Sequence, residues 1–364
     1  MLRFLYQKIL KPILFLFDPE AVHHLFVRVG ELLGKTRAGQ KLVGAFYGYR
    51  GPDVSRVVDD VTYRTPIMLA AGFDYNARLT QILGSVAFGG VEVGSVTARP
   101  CPGNEPPRMA RAVKSKSLVV YKGLKNDGVE AIIARIRQRP PQEGLVLGIS
   151  VAMTNDEGCA TTEGAIEDYY TSLKSLVEAD LGDYYTINIS CPNVHGGENF
   201  TDPGRLRELL SRLQEIDAGR PVYVKLAINL EEEIFDELLE IVEEFGLHGV
   251  VIGNLNKDYD TLDVREEAPA EYRGGLSGKP CRDPSTALIA RARAKLGPEK
   301  TIIGCGGILS PADALEKIDA GADLLQLISG MIFEGPHLMR EISAALARRQ
   351  RALPANEGPE KEAE

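Results

Sequence analysis

The middle of this 364-residue chain alternates between short apolar runs and longer segments with helical periodicity. Eight such runs occur, each ending in small or polar residues: 67–71, 91–95, 145–151, 185–190, 222–227, 249–253, 301–304 and 324–328. Residues 204–216, 231–245, 284–296 and 311–320, which lie between runs, have the spacing of helices. Eight strand–helix units in one chain predict an α/β fold of the (β/α)8 type, a TIM barrel, preceded by an N-terminal helical extension.

An open, doubly wound parallel sheet is the alternative arrangement of such units. Its dinucleotide-binding form carries a GxGxxG motif directly after the first strand. Here the first run ends in Ala70-Ala71-Gly72 and no such motif follows, so the barrel is the preferred prediction.

The charge balance disfavours one class of partner. Lys and Arg total 42 and Asp and Glu total 51, which gives a net charge of −9 and a pI near 5.3. Binding to phosphate backbones needs a basic face, so we expect no nucleic-acid partner. The five cysteines are scattered and form no CxxC pair, so the sequence predicts neither a disulfide framework nor a metal site.

The first 41 residues differ from the rest because seven basic residues outnumber three acidic ones. Apolar residues at positions 2, 5, 9, 13 and 16 predict one helix, and Asp18-Pro19-Glu20 predicts the start of a second that ends near Gly34. Such a basic helix pair either lies on a membrane surface or packs on the body of the protein. We therefore divide the chain into the helix pair (1–41), the barrel (42–351) and a disordered acidic tail (352–364).

Chemistry in such barrels takes place at the carboxyl ends of the strands. Small residues at 70–72 and 94–95 follow the first two runs and leave room for a flat ligand. The fourth run ends in Asn188-Ile189-Ser190-Cys191-Pro192-Asn193. Its two amides can bind the edge of a heterocycle, and its thiol can transfer a proton near neutral pH. The alternative for Cys191 is an inert buried thiol.

Lys225 lies inside the fifth run, and an ammonium that points into a barrel needs an anionic or electron-rich partner. Glycine-rich segments occur at 274–278, 304–308 and 329–330. The last two follow the seventh and eighth runs, where barrels commonly bind phosphate. A phosphate, a floor for a flat ring and an inward lysine together suggest bound flavin mononucleotide (FMN).

With these motifs the chain resembles the dihydroorotate dehydrogenases from about Phe15 to Leu346. The matching stretches are LFDPEAVH (16–23), LAAGFD (69–74), GGVEVGSVTARPCPGNEPPR (89–108), NISCPN (188–193), VKLA (224–227), GGLSGKP (274–280), IIGCGGI (302–308) and SGMIFEGP (329–336). The helix pair is similar to that of the membrane-associated class, in which it forms an apolar tunnel that leads a quinone to the flavin. The resemblance implies an FMN enzyme, peripheral on the cytoplasmic face of the membrane, that oxidises dihydroorotate to orotate in pyrimidine biosynthesis with a quinone as electron acceptor.

The resemblance also implies roles for individual residues. The implied FMN contacts are Ala70, Ala71, Gly72, Gly94, Ser95, Asn188, Lys225, Asn254, Ser277, Gly278, Gly306, Gly307, Ser329 and Gly330. Asn188, Asn193 and Asn254 match positions that bind the pyrimidine, and Cys191 matches the general base. His23 and Arg111 match positions that line the quinone tunnel.

Several positions depart from the family pattern. In the quinone-using class the base is normally serine, where this chain has Cys191. Tyr75 replaces a lysine, and Val120, Lys125 and Ser150 replace asparagines. Leu255 replaces a threonine, and Ile328 replaces a tyrosine of the tunnel. Lys122 or Lys125 is a candidate replacement cation for the substrate carboxylate. Two alternatives therefore stay open: a diverged relative that acts on another cyclic or unsaturated CH–CH compound, and a non-catalytic flavin-binding or membrane-associated protein.

Overall fold

The computed structural model describes residues 2–190, 200–261 and 274–352. Eight parallel strands form a closed barrel in chain order. They are β1 (Ile67–Leu69), β2 (Gly90–Val96), β3 (Val146–Val151), β4 (Tyr184–Asn188), β5 (Val222–Leu226), β6 (Gly249–Ile252), β7 (Thr301–Cys305) and β8 (Leu324–Leu327). All eight predicted runs are strands of this barrel.

The last strand closes the barrel by pairing with the first. In the parallel ladder between β8 and β1, Leu325 lies opposite Ile67 and Leu327 lies opposite Leu69. An open sheet would leave these two strands unpaired at opposite edges, so the closure excludes the doubly wound alternative and confirms the (β/α)8 prediction.

Helices surround the barrel. A helical segment at residues 2–14 and two longer helices, α1 (Pro19–Gly34) and α2 (Arg37–Tyr47), precede it. The others follow the strands: α3 (Val129–Gln138), α4 (Thr162–Glu178), α5 (Pro203–Leu213), α6 (Glu232–Glu244), α7 (Arg282–Leu296), α8 (Pro311–Asp319), α9 (Ser329–Glu334) and α10 (Leu338–Ala352). The four helices predicted between the runs are α5 to α8. Apolar side chains such as Ile149 on β3 and Phe235 on α6 are completely buried between the two layers and form the main core.

Polar and aromatic side chains fill the barrel interior below the strand ends. One carboxylate oxygen of Glu92 accepts hydrogen bonds from the Tyr184 hydroxyl (3.2 Å), the Thr186 hydroxyl (2.9 Å) and the Gln326 amide (2.8 Å). Tyr184 packs edge-on against Tyr223, with ring centroids 5.3 Å apart. This filling makes the interior a packed core and leaves ligand-sized space at the carboxyl end.

The N-terminal extension is a helical segment at residues 2–14 followed by α1 and α2. The predicted start of α1 is present, because the Asp18 carboxylate accepts a hydrogen bond from the Ala21 amide at 2.8 Å and Pro19 is the first helical residue. Residue 41, where the sequence analysis ends the extension, lies inside α2, which was not predicted. The predicted acidic tail lies, apart from Ala352, outside the described residues.

Much of the apolar surface of the extension is not packed against the barrel. Leu16 is 83% exposed and Leu32 on α1 is 65% exposed, and Phe4, Ile13 and Phe17 are exposed as well. On α1, Leu25 and Val29 are exposed like Leu32, so this part of its apolar surface faces solvent.

Within the described ranges, none of the helices combines the length and the apolar composition that a membrane crossing requires.

An antiparallel hairpin, Met109–Ala112 paired with Ser117–Val120, is inserted between β2 and α3 and will be called the ribbon. Its second strand also pairs with Gly275–Leu276, which makes a three-stranded sheet. Arg108 at its start lies 3.2 Å from the Glu20 carboxylate of α1, and the Arg111 guanidinium donates a hydrogen bond to the Phe17 carbonyl at 2.7 Å. These contacts hold the extension and the ribbon together above the barrel mouth.

Glu31 of α1 attaches the extension to the barrel, because its carboxylate accepts hydrogen bonds from Arg78 (2.8 Å) and Arg139 (2.6 Å). Glu31→Ala removes these charge-assisted bonds, so we expect α1 to dock more weakly by about 2 kcal/mol. Amides of α1 should then exchange about 30-fold faster in a hydrogen-exchange experiment. Glu130→Ala, which removes an exposed carboxylate from α3, is the matched control. Equal exchange rates in the two variants would contradict this role of Glu31.

Candidate active site at the carboxyl end of the barrel

A cavity of about 310 Å³ lies between the strand ends, α1 and the ribbon. This volume is in the range of small-molecule sites. All described residues that the sequence analysis assigned to a ligand line it: Ala70, Ala71, Gly72, Gly94, Ser95, Asn188, Lys225, Asn254, Ser277, Gly278, Gly306, Gly307, Ser329, Gly330, Lys122, Lys125, His23 and Arg111. The two others, Cys191 and Asn193, lie outside the described residues.

The end of β1 forms part of the cavity floor, and its residues are small. Gly72 has φ of +103°, and a β-carbon built there would meet no atom within 4 Å. A side chain at this position would therefore enter open space above the floor. Its absence, next to Ala70 and Ala71, leaves a surface on which a flat ring can lie against the backbone.

Amide side chains at the ends of β4 and β6 are fixed by hydrogen bonds. The Asn188 amide donates to the Ser95 hydroxyl at 2.7 Å and accepts from the Ser190 hydroxyl at 2.7 Å. The Asn254 amide donates to the backbone carbonyl of Ser190 at 2.8 Å. Ser150, one of the departures from the family pattern, shares a hydrogen bond of 2.8 Å with Ser95. The network fixes the orientation of both amides at the cavity wall.

Lys225 of β5 is 4% exposed and lines the same cavity. In the part of the chain that the structure describes, no carboxylate lies within ion-pair distance of its ammonium. A buried ammonium without a carboxylate partner is costly, so its position favours a ligand with an anionic or electron-rich edge.

Glycine loops after β7 and β8 form the opposite side of the cavity. At Gly307, where φ is +71°, a β-carbon would lie 2.3 Å from the Arg282 α-carbon, and at Gly330 it would lie 2.0 Å from the Ile308 carbonyl oxygen. Neither position has room for a side chain, and the bare backbone of both residues lines the cavity. Ser277, which follows Gly275–Leu276, shares a hydrogen bond of 2.7 Å with Ser329, which follows β8. Backbone and hydroxyl groups that line a cavity in this way suit a phosphate.

The wall formed by the extension and the ribbon carries His23 of α1 and Arg111 of the ribbon. The His23 ring nitrogen Nε2 donates to the Phe73 carbonyl at 2.8 Å, and the Tyr75 ring is stacked on the imidazole with centroids 5.6 Å apart. The Arg111 guanidinium lies 4.6 Å above the centre of the Phe15 ring.

Apolar side chains that the sequence analysis missed complete this wall: Leu14, Phe15, Val22, Phe26, Phe73, Met109 and Leu118. Their sequence pattern gives no signal for a cavity, because an apolar helix stripe is equally compatible with a core or with a membrane surface.

Glu20 distinguishes the two candidate lysines. Its carboxylate lies 3.2 Å from Arg108 and 3.4 Å from Lys125. Burial raises the pKa of Glu20, but these cations outweigh burial and hold the pKa below its ordinary value. Lys122 instead places its ammonium 4.7 Å from the centre of the Tyr75 ring. Lys125 is thus paired with a carboxylate, and Lys122 contacts an aromatic face.

Two departures from the family pattern are neighbours at the cavity wall. A β-carbon at Gly274 would lie 2.5 Å from the Val120 carbonyl oxygen, and one at Gly275 would lie 2.4 Å from the Leu255 β-carbon. Val120 and Leu255 both line the cavity. Together they present an apolar strip where the family pattern has an amide and a hydroxyl.

The residues that the structure describes contain no group of three or more His, Cys, Asp or Glu side chains able to hold a metal ion.

Comparison with known proteins finds relatives that match this chain over most of its length and most of theirs. The family model described as dihydroorotate dehydrogenase matches residues 54–349. A dihydroorotate dehydrogenase (quinone) from Christiangramia forsetii is 33% identical over 346 residues, which are 93% of this chain and 98% of the relative. Another, from Sinorhizobium medicae, is 36% identical over 342 residues, 92% of this chain and 89% of the relative.

The fold also matches a solved structure. The ligand-free crystal structure of DHODH from Eimeria tenella superposes with a TM-score of 0.75 at 26% identity, over 88% of this chain and 95% of that one. The sequence matches, the closed barrel and the cavity at its carboxyl end agree with one another. This chain therefore belongs to the dihydroorotate dehydrogenase family of oxidoreductases, which act on a CH–CH bond.

Proposed function

We propose that the protein is an FMN-dependent dihydroorotate dehydrogenase that oxidises dihydroorotate to orotate and passes the electrons to a quinone. The observation that carries the proposal is the shared cavity, which brings a small-residue floor, two oriented amides and the Lys225 ammonium next to an apolar wall of the extension. The quinone-dependent names of the relatives agree with it.

The residues present fit FMN. The open space above Gly72 accommodates a flat ring, and the side-chain-free backbone at Gly307 and Gly330 suits its phosphate. Lys225 would stabilise negative charge on the polar edge of the ring. When bound, FMN supplies the two-electron carrier between substrate and acceptor.

Asn188, Asn193 and Asn254 would hold the pyrimidine ring, and Cys191 would act as the base. In this proposal the Cys191 thiolate takes a proton from one ring carbon, and the hydride released by the adjacent carbon would be accepted by FMN. A thiol ionises far more readily than a serine hydroxyl, so this base needs less help from neighbouring groups. Ser190, the last described residue before it, is 3% exposed and bonded to both described amides, Asn188 and Asn254.

The extension would guide the quinone. Its inner side contributes His23 and apolar side chains to the cavity, and its outer side exposes Leu16 and Leu32. A basic segment with exposed apolar residues suits contact with an anionic membrane surface, which we propose is the cytoplasmic face of the membrane. In this scheme residues 1–41 form the membrane and quinone unit, residues 42–351 the FMN barrel, and residues 352–364 a tail.

One observation favours a second candidate, a relative that acts on a different cyclic or unsaturated CH–CH compound. The apolar strip of Val120 and Leu255 cannot hydrogen-bond a polar substrate edge. Each lost hydrogen bond of this kind costs about 1–3 kcal/mol of binding. The family relationship and the retained Asn188 and Asn254 favour dihydroorotate.

Anaerobic mixing with dihydroorotate should bleach the flavin absorbance of the purified protein. Because Cys191 is the proposed base, we expect Cys191→Ala to slow the bleaching by about 10²- to 10⁴-fold. In Cys191→Ser the flavin should bleach more slowly than in the parent, and the rate should reach its maximum at a higher pH, because a hydroxyl loses its proton less readily than a thiol. Stopped-flow absorbance measures both effects.

Cys159→Ala serves as the control, since Cys159 is buried beside Arg99 and away from the cavity lining. Reduction of Cys191→Ala at the parental rate would refute the base assignment. The second candidate would be favoured if dihydroorotate failed to bleach the flavin of the parent protein and the reduced form of another unsaturated acid bleached it.

Deletion of residues 2–34 separates the two half-reactions. It removes the quinone path and the exposed apolar surface, so turnover with a long-chain quinone should fall at least about tenfold. Flavin reduction by dihydroorotate should stay within about twofold, because the floor and the amides lie on the barrel. Steady-state and stopped-flow assays measure these rates, and a small water-soluble oxidant should restore turnover. Unchanged turnover with the long-chain quinone would contradict the proposed path.

His23 should stay uncharged on the quinone path. Burial and the nearby Lys122 lower its pKa to about 3, so the native ring is neutral while an unfolded chain, with a pKa near 6.5, takes up a proton below that pH. Stability should therefore fall as the pH drops from about 6.5 towards 3, and less steeply in His23→Gln. Denaturant unfolding across this range measures the difference. Equal slopes would contradict a neutral buried imidazole.

A further inference from the structure

Besides Lys125, which is paired with Glu20, two lysines line the cavity, and their ammonium groups reach it at different places. Lys225 projects from β5 at the floor, whereas Lys122 follows the ribbon. Lys122 lies against Tyr75, with 4.7 Å between its Nζ and the ring centre, and Tyr75 is stacked on His23 of α1 at 5.6 Å. The Lys122 ammonium therefore belongs to the side of the cavity that faces the extension.

The charge of Lys122 has no carboxylate partner among residues 2–190, 200–261 and 274–352. The nearby carboxylate, Glu20, is already shared by Arg108 at 3.2 Å and Lys125 at 3.4 Å. His23 gives no compensation, because its ring is neutral and its Nε2 hydrogen is bonded to the Phe73 carbonyl. The face of Tyr75 supplies a cation–π contact, which is weaker than an ion pair in a buried setting.

Burial lowers the pKa of Lys122 to about 8, Glu20 opposes this shift, and Lys125 and Arg108 add to it. The ammonium is thus still largely protonated at neutral pH, in surroundings that favour neutralisation. A ligand with an anionic oxygen next to Lys122 would supply the missing counter-charge.

The remaining wall determines what else such a ligand must contain. Phe73, Met109 and Leu118 line the same cavity, together with Val22 and Phe26 of α1. These side chains offer an apolar surface. The guanidinium of Arg111 also lines the cavity, but it already donates to the Phe17 carbonyl and lies over the Phe15 ring. A ligand that matches this wall is flat and apolar apart from one acidic oxygen.

We propose that Lys122 makes the extension side of the cavity selective for an electron acceptor whose ring carries an acidic oxygen, an enolate or a carboxylate. The inference rests on the proposed function, because it assigns the extension side to the acceptor. It goes beyond that function in naming an acidic quinone as the preferred class and Lys122 as the residue that selects it.

Two ligands could present an anionic oxygen to Lys122, the acceptor and the carboxylate-bearing substrate. The contacts favour the acceptor, because Lys122 adjoins Tyr75 and through it His23 of α1. The amides that would orient the substrate, Asn188 and Asn254, are bonded to Ser95 and Ser190 at the strand ends.

The binding test uses two quinones of nearly equal shape, 2-hydroxy-1,4-naphthoquinone, which is an enolate at pH 7, and its neutral 2-methoxy analogue. Titration of the oxidised holoprotein, followed by difference absorbance, gives both dissociation constants. We expect the parent to prefer the hydroxyquinone by about 10- to 100-fold, as one charge-assisted hydrogen bond provides. Lys122→Met should lose the preference and Lys122→Arg should retain most of it. Lys114→Met, which removes an exposed lysine from the turn of the ribbon, is the matched control and should keep it.

The kinetic test separates the two sources of the anionic oxygen. Flavin in the holoprotein is reduced by light with EDTA as the electron donor and no dihydroorotate. The reduced protein is then mixed anaerobically with the hydroxyquinone, which takes up two electrons and two protons and leaves as the hydroquinone. Lys122→Met should slow this reoxidation about tenfold or more at subsaturating quinone, while flavin reduction by dihydroorotate changes less than about twofold.

An unchanged preference in Lys122→Met overturns the proposal, as does a defect confined to reduction by dihydroorotate. Neither the titration nor the light-driven reduction needs dihydroorotate. If dihydroorotate fails to bleach the flavin of the parent protein, the proposed substrate is refuted. The titration and the light-driven reduction then still decide whether Lys122 selects the acidic quinone.

Discussion

The pairing of β8 with β1 is the constraint on which the rest of the structure depends. Once Leu325 lies opposite Ile67, the carboxyl ends of eight strands surround one opening. Residues as distant in sequence as Ala70, Asn188 and Gly330 then reach a common cavity. The interior below is filled around Glu92, so ligand chemistry is confined to the mouth, where backbone and short polar side chains are accessible.

Charge explains how the cavity is divided. The carboxylate of Glu20 is occupied by two cations, which fixes α1 to the ribbon and leaves Lys122 without an ion pair among the described residues. Lys225 also has no ion pair in the described part of the chain, for a different reason, since the strand ends around it carry amides and small residues. A buried ammonium without a counter-ion is destabilising in the free protein, and its cost is recovered when an anionic ligand binds. The two lysines therefore point to two ligand positions, one on the barrel and one under the extension.

The accuracy of the sequence analysis varied with the range of the interactions involved. The eight strands and helices α5 to α8 were predicted because hydrophobic periodicity and turn residues act locally. The start of α1 at Asp18 was predicted for the same reason, since a side chain caps its own helix. The ribbon was not predicted: its strands are only four residues long, and the second pairs with Gly275–Leu276, which lies far along the chain. The roles assigned to Cys191 and Asn193 stay predictions, because these residues lie outside the described ranges.

Local pattern and family motifs were enough to identify the barrel, the residues around its mouth and the family, because each depends on residue type at a fixed spacing. Local pattern and family motifs could not identify which of two neighbouring lysines is available to bind a ligand. Lys122 and Lys125 are three positions apart and chemically identical, and Glu20, which pairs with one of them, lies about a hundred residues earlier. That choice depends on distances between α1, the ribbon and the strand ends, and those distances exist only after the chain has folded.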